Sequence, residues 1–109
     1  MSENLMAKTC VPCKGGIPPL AQEAAEKLLA QTEGWKLEDN AHHIFRQFDF
    51  SNFVEALEFV NKVGGLAERE GHHPDIKLGW GYAIISIYTH KIDGLHENDF
   101  ILAAKINQI

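Results

Sequence analysis

The chain has 109 residues, 45% of them hydrophobic, which is enough for one domain with a single core and too little for two. Its formal net charge of -5 argues against a nucleic-acid or acidic-membrane partner, because phosphate binding needs clustered lysines and arginines and these are scattered. Neither a long apolar run nor a signal-peptide pattern is found in the sequence, so we expect a cytoplasmic protein.

Residues 1–17 predict a flexible N-terminal arm, and residues 18–109 predict the folded domain. The arm is polar and then rich in glycine and proline, with few apolar side chains to bury. It contains Cys10 and Cys13, a spacing compatible with half of a zinc site or with a redox pair. Because a redox motif should open a helix that follows a strand, we interpret this pair as incidental.

A helix and a β-hairpin are predicted next. Residues 20–31 are good helix formers with apolar positions at helical spacing. Residues 35–38 and 44–50 are richer in aromatic and alternating residues, and turn-forming residues separate them. His42 and His43 follow that turn, where histidines are more often solvated side chains than ligands.

A second helix is predicted from residue 53, with Ser51 or Asn52 as its cap and Glu55 as the partner in a capping box. Five apolar residues follow helical spacing and are predicted to face the core as one stripe: Phe53, Ala56, Leu57, Val60 and Val63.

An adjacent pair, His72 and His73, lies at the C-terminal end of this helix, which Gly71 and Pro74 are expected to end. The carbonyl-rich end of a helix favours a cation, and Glu68 precedes His72 by four residues. If helical geometry persists, the carboxylate can orient the imidazole of His72 for acid or base chemistry. A C-capping histidine beside a surface glutamate is the alternative, and spacing alone does not decide between them.

Residues 80–90 predict a third strand, with Trp80 and His90 at its two ends. In a straight strand these ends are about 33 Å apart. His90 can therefore reach the histidine pair within one subunit only if residues 75–81 fold back beside the strand. The other possibility is a site built between subunits, and the sequence leaves both open.

Residues 96–106 predict a third helix that is apolar over more than half its circumference. That width suggests a contact between subunits, although deep packing in a small domain is the alternative. Asp99 lies in its first turn, where a carboxylate is favoured. The element order α-β-β-α-β-α predicts an α+β fold, an antiparallel sheet with helices packed on one face, although a βαβ crossover is also compatible.

One spaced motif joins these elements: Glu68, three residues, His72-His73-Pro74, five residues, Trp80, nine residues, His90, eight residues and Asp99. The motif resembles the signature of the pterin-4a-carbinolamine dehydratases. The resemblance covers about residues 18–107, and flanking segments such as Gly34-Trp35 and Gly94-Leu95 agree with it.

The resemblance implies a hydro-lyase that converts 4a-hydroxytetrahydrobiopterin to quinonoid dihydropterin and water in tetrahydrobiopterin recycling, without a metal or organic cofactor. The catalytic residues it implies are His72, His73 and His90, of which His73 mainly binds and orients the pterin. The supporting residues it implies are Glu68, Pro74 and Trp80, with Asp99 in a structural role. Neutral-pH proton transfer in both directions suits histidine.

The partners implied are the pterin, a phenylalanine hydroxylase of the same pathway, and other copies of the chain in a dimer or tetramer. Two other classes stay open: an interaction or dimerisation protein similar to a transcriptional coactivator, and a small metal-binding protein using histidines with Cys10 and Cys13. Two positions depart from the family pattern. Gly71 stands where some relatives carry an acidic residue, and His96 stands where Thr or Ser usually caps the last helix.

Overall fold

The computed structural model describes residues 5–8, 17–38 and 40–109. Its helices and strands, in chain order, are α1 (Gln22–Leu29), β1 (Lys36–Glu38), β2 (His43–Asp49), α2 (Phe53–Glu70), β3 (Asp75–Gly79), β4 (Tyr82–Ile87) and α3 (Glu97–Ile106). Short 3-10 turns occupy Leu5–Ala7 and His90–Ile92. The strands form one sheet in the order β1-β2-β4-β3, and each neighbouring pair is antiparallel. The predicted α+β class is therefore confirmed.

The sheet has four strands, so the predicted count of three is wrong. The missed strand is β3, which folds back on β4 through a tight turn at Trp80 and Gly81. Gly81 has a φ of +79°, a left-handed conformation that suits glycine, and its carbonyl accepts a 2.8 Å hydrogen bond from the Phe50 amide. β3 has only five residues and ends in a glycine, although its alternation of charged residues such as Asp75 and Lys77 with apolar ones is typical of a half-buried strand.

One face of the sheet carries the core. The antiparallel register places Ile44 of β2 opposite Ile87 of β4, and both side chains are fully buried. Side chains on the same face as these two meet α2 and α3 in one cluster, whose largest members include Ile85, Phe59, Val63, Phe100, Leu102 and Ile106. The residues between them on each strand, such as Phe45 and Ser86, lie on the other face and are half-buried.

The face of α2 that meets the core includes part of the predicted stripe, since Ala56 and Val63 are fully buried and Val60 packs against the core. Its buried residues are Ala56, Phe59, Val63, Leu66 and Ala67. Phe53 and Leu57, which were predicted to face the core, are exposed together with Val54. The helix therefore carries two adjoining apolar stripes, and the periodicity of the sequence does not indicate which of them the sheet covers.

α3 is the most deeply packed helix, since its residues from Asn98 to Ala104 are all buried. Other parts of the same chain cover the wide apolar surface of α3. The predicted subunit contact on this helix was therefore wrong, and the alternative of deep packing holds. Part of the cover comes from the predicted arm: Leu5 is buried in the core, and Lys8 Nζ donates to Glu97 Oε2 at 2.9 Å. Cys10 and Cys13 lie outside the described residues.

Across the described ranges, none of the helices combines the length and the apolar character that crossing a membrane requires.

Candidate active site

α2 delivers the histidine pair to one end of the β3–β4 hairpin. The helix begins at the predicted cap, where Asn52 Oδ1 accepts a 2.9 Å hydrogen bond from the Glu55 amide. It ends as predicted at Gly71, whose φ of +67° is a left-handed C-cap conformation. The chain leaves this cap through His72 and His73 and enters β3.

The hairpin brings the histidine pair back beside the end of β4. Asp75, the first residue of β3, pairs with Ser86, near the end of β4. Residues 72–74 precede β3, so they lie alongside the segment that follows β4 and contains Thr89 and His90. The fold-back of residues 75–81 that a single-chain site requires is present in the structure.

Asp99 is the centre of the hydrogen-bond network at this end. Its Oδ1 accepts a 2.5 Å hydrogen bond from His72 Nε2, and its Oδ2 accepts from Thr89 Oγ1 at 2.9 Å. The same Oδ2 accepts from the His96 amide at 2.8 Å as part of the capping box of α3. The Asp99 side chain is 0% exposed, so a single buried carboxylate joins the end of α2, the segment after β4 and the start of α3.

The expected pairing of Glu68 with His72 was wrong. Helical geometry stops at Gly71, so the four-residue spacing no longer places the two side chains on one face. Glu68 Oε2 instead accepts a 2.7 Å hydrogen bond from His73 Nε2, and both of these side chains are exposed. The two adjacent imidazoles therefore have separate carboxylate partners, a buried one for His72 and a solvated one for His73.

Both histidines use Nε2 for these pairings. Nε2 of each ring carries the proton that its carboxylate accepts, so the other nitrogen, Nδ1, is the atom that can exchange a proton with a bound molecule. The His72 side chain is 12% exposed and the His73 side chain 61%, so His72 is the more sheltered of the two imidazoles.

His90 opens the 3-10 turn that follows β4, and its ring lies against Tyr88, with ring centroids 4.2 Å apart. The Tyr88 ring is in turn 4.5 Å from that of His42. His42 Nε2 donates to Asp93 Oδ1 at 2.8 Å, and its Nδ1 lies 3.3 Å from Nδ1 of His43. This second cluster was not expected, because two histidines after a turn carry no sequence signal that separates them from solvated side chains.

A cavity of about 280 Å³ opens on the sheet face away from the helices, beside the Tyr88 ring. Its lining consists of His42, His43, Asp75, Ser86 and Tyr88. A larger cavity of about 540 Å³ is lined by no imidazole. There Asn107 Oδ1 accepts from Arg46 Nη1 at 2.7 Å and from Trp35 Nε1 at 2.9 Å, which anchors the end of α3, so we interpret that region as structural.

Trp80 is not brought to the histidines within one chain. It lies in the turn at the opposite end of the β3–β4 hairpin, and its side chain is 72% exposed. Pro74 lies between the histidine pair and β3. Within residues 5–8, 17–38 and 40–109, no three His, Cys, Asp or Glu side chains converge on a geometry that could hold a metal ion.

The fold and this site define a small α+β protein in which imidazole and carboxylate side chains cluster at one end of an antiparallel sheet. Residues 18–109 match the family model described as pterin 4 alpha carbinolamine dehydratase. The chain belongs to the pterin-4a-carbinolamine dehydratase family.

Similar proteins from bacteria are named provisionally as pterin-4-alpha-carbinolamine dehydratases. The relative from Methylococcus capsulatus is 58% identical over 106 residues, which cover 97% of this chain and 93% of that protein. The relative from Rubrobacter xylanophilus is also 58% identical, over 109 residues that cover all of both chains. The names agree with the family to which the chain belongs.

Two solved structures have a similar fold. The crystal structure of a transcriptional coactivator/pterin dehydratase from Brucella melitensis has a TM-score of 0.77 and 28% identity, covering 83% of this chain and 96% of that one. A pterin dehydratase-like protein identified as a RuBisCO assembly factor in the alpha-carboxysome has a TM-score of 0.60 and 22% identity, covering 70% and 88%. The second likeness concerns the fold alone.

Proposed function

We propose that this protein dehydrates pterin-4a-carbinolamine, using the histidines of the Asp99 network and of the turn beside it. The observation that carries the proposal is the 2.5 Å hydrogen bond from His72 to a fully buried Asp99, in a chain of the dehydratase family. A carboxylate that holds an imidazole in one tautomer and orientation is a recurrent device of acid/base catalysis.

The reaction needs one proton delivered and one proton removed. The C4a–O bond of the substrate breaks, and the oxygen leaves as water once an acid has protonated it. The N5–H proton passes to a base, and the electron pair of that bond forms the new double bond between N5 and C4a. A protonated and a neutral imidazole suit these two tasks near neutral pH, and a positioned group of this kind typically contributes about 10²–10⁴ in rate.

We assign the proton transfers to His72 and His90 and the binding of the pterin to His73. His72 Nδ1 is the ring nitrogen left free by the bond to Asp99, which supports its use as a proton donor or acceptor. The exposed pair of His73 with Glu68 supports a role in binding and orienting the ring system of the substrate. We assign Pro74 a supporting role, since it lies between the histidine pair and the first residue of β3. For Trp80 a role in the site requires a second chain.

The physiological substrate we propose is 4a-hydroxytetrahydrobiopterin, left when an aromatic amino acid hydroxylase such as phenylalanine hydroxylase has used its cofactor. The product, quinonoid dihydropterin, then re-enters tetrahydrobiopterin recycling in the cytoplasm, with no metal or organic cofactor in the dehydration step. A coupled assay with a phenylalanine hydroxylase tests this proposal by following the decay of the carbinolamine. Acceleration by the purified protein supports it, and an unchanged decay rate refutes it.

A second proposal concerns association. Phe53, Val54 and Leu57 are exposed by 42%, 60% and 39% on the outer side of the α2 N-terminal half. Neighbouring exposed apolar side chains of this size favour a protein contact. We propose that this stripe joins copies of the chain into a homo-oligomer, or binds a partner as a coactivator does. Light scattering of wild type and of the V54D variant tests it: equal masses that both correspond to one chain contradict the oligomer.

A further inference from the structure

The segment from Thr89 to Gly94 forms a small loop in which His90 directly follows the first residue of the base. Two backbone hydrogen bonds close its base, from Thr89 N to Gly94 O at 2.8 Å and from Gly94 N to Thr89 O at 3.4 Å. Thr89 is also fixed through its hydroxyl to Asp99. The base of the loop is therefore held by contacts that do not involve the β1–β2 connection.

His42, in the β1–β2 connection, contacts the chain at two points, one on each side of His90 in the sequence. Its ring packs on Tyr88, with centroids 4.5 Å apart, and its Nε2 donates to Asp93 Oδ1 at 2.8 Å. Tyr88 in turn packs on the His90 ring at 4.2 Å, and the Asp93 amide donates to the His90 carbonyl at 3.2 Å. His42 therefore contacts two residues that also contact His90.

We infer that His42 is a positioning residue for His90. The inference rests on the proposed function for its catalytic consequence, because His90 is one of the proposed proton-transfer groups. His42 contacts Tyr88 and Asp93, which lie on either side of His90 in the chain, and through them restricts the orientation of the His90 imidazole. Tight placement of a reacting group matters, since a misplacement of about 1 Å can cost about 10² in rate.

His43 offers a matched control. Its imidazole also lines the cavity beside Tyr88, and its Nδ1 lies 3.3 Å from that of His42. Replacing His43 by alanine therefore removes a neighbouring imidazole of the same size while the contacts of His42 with Tyr88 and Asp93 remain. A positioning role predicts different outcomes for the two alanine variants, whereas a general effect of losing a surface imidazole predicts the same outcome.

Two conservative variants separate the contacts. His42→Phe keeps a ring against Tyr88 and removes the hydrogen bond to Asp93. Asp93→Asn keeps an oxygen acceptor for His42, and asparagine tolerates the left-handed conformation of this position, where φ is +50°. We expect His42→Phe to lie between wild type and His42→Ala, and Asp93→Asn to remain close to wild type.

The test combines the NMR signals of the His90 ring with the kinetics of carbinolamine dehydration. We expect His42→Ala to shift or broaden the His90 ring signals and to lower kcat about tenfold with a KM within about twofold of wild type. His43→Ala should leave the His90 signals in place and kcat within about twofold. The His90 signals are assigned from their loss in His90→Ala, and thermal unfolding verifies that each variant is folded.

The inference is overturned if His90 signals and kcat in His42→Ala match those in His43→Ala. If His42→Ala does not fold, His42→Phe is compared with Asp93→Asn instead. Wild-type His90 signals in His42→Phe would then contradict the positioning of His90 through the His42–Asp93 hydrogen bond. A wild-type protein without dehydratase activity refutes the proposed function alone, because the NMR comparison still decides whether His42 positions His90.

Discussion

Asp99 and His72 are 27 residues apart in the chain, and their side chains are joined by a 2.5 Å hydrogen bond. The carboxylate is fully buried, and its second oxygen accepts from Thr89 and from the His96 amide. The Asp99 carboxylate, which forms half of the capping box of α3, therefore also holds the His72 imidazole at the end of α2. If the proposed function holds, this one side chain has a structural role and also orients a proton-transfer group.

Replacing Asp99 by asparagine tests this double role. The amide keeps the shape of the side chain but places an N–H donor where the Asp99 carboxylate now has an acceptor oxygen. Where that donor faces His72, Nε2 must give up its proton, and the imidazole is held in the other tautomer. We expect kcat to fall by about 10² because the tautomer of the imidazole changes. The free energy of unfolding should fall by about 1–3 kcal/mol, because hydrogen bonds to a buried carboxylate are replaced by weaker ones to a neutral amide.

Glu68→Gln is the matched control for Asp99→Asn, since Glu68 also accepts a hydrogen bond from a histidine of the pair but is exposed. Its contact should contribute less than about 1 kcal/mol, so stability should stay close to wild type. Steady-state kinetics and urea unfolding measure both variants. Equal losses of kcat in the two variants would show that burial of the Asp99 contact has no special importance.

The two adjacent histidines should differ in their kinetic effects. His73 is exposed and proposed to bind the pterin, so His73→Ala should raise KM more than it lowers kcat. His72 is held by Asp99 and proposed to transfer a proton, so His72→Ala should lower kcat by about 10²–10⁴. Steady-state kinetics of both variants show whether each substitution changes mainly kcat or mainly KM. A reversed pattern would exchange the two roles, and wild-type activity in a variant lacking His72, His73 and His90 would remove the site assignment.

Two glycine replacements test the backbone, one in the turn between β3 and β4 and one inside α2. Gly81 has a φ of +79°, and a Cβ there would lie 3.2 Å from the Phe50 carbonyl oxygen. Gly81→Ala should therefore destabilise the protein by about 1–2 kcal/mol. At Gly64, inside α2, an added Cβ meets nothing within 4 Å, so Gly64→Ala should stabilise by about 0.5–1 kcal/mol. Urea unfolding measures both variants, and a Gly81→Ala protein as stable as wild type would contradict the turn geometry.

His96 replaces the Ser or Thr expected at the start of the last helix, yet its Nδ1 accepts a 3.0 Å hydrogen bond from the Asn98 amide. His96→Ala should cost about 1 kcal/mol of unfolding free energy, because the cap is lost. His96→Ser should recover most of that loss, since a hydroxyl can accept the same hydrogen bond. Thermal or urea unfolding provides the comparison. A His96→Ala variant as stable as wild type would mean that the Asp99 half of the capping box suffices.

Much of the fold could be predicted because its signals are local. The three helices, the first hairpin, the Asn52 cap and the Gly71 stop all follow from spacing and from residues suited to those positions. β3 was missed because it has only five residues and ends in a glycine, although its charged and apolar residues alternate as in a half-buried strand. The face of α2 was only partly predicted because two apolar stripes adjoin on it, and only packing against the sheet selects one.

The candidate site residues are predictions from the family resemblance, whereas the sequence does not predict which of their side chains pair. Glu68 and His72 have a helical spacing, but the helix ends between them and the carboxylate reaches His73 instead. The partner of His72 is Asp99, and this contact depends on how α3 packs beside the end of α2. Contacts between residues far apart in the chain depend on tertiary packing, which local periodicity does not predict.

The most direct measurement of the central claim is the single-turnover decay of pterin-4a-carbinolamine, generated in place by a hydroxylase and followed by stopped-flow absorbance. Wild-type protein should accelerate the decay, and His72→Ala and Asp99→Asn should each remove about 10² or more of that acceleration while Glu68→Gln retains most of it. A decay rate that wild-type protein leaves unchanged would contradict the proposed dehydratase. Full acceleration by both His72→Ala and Asp99→Asn would contradict the site.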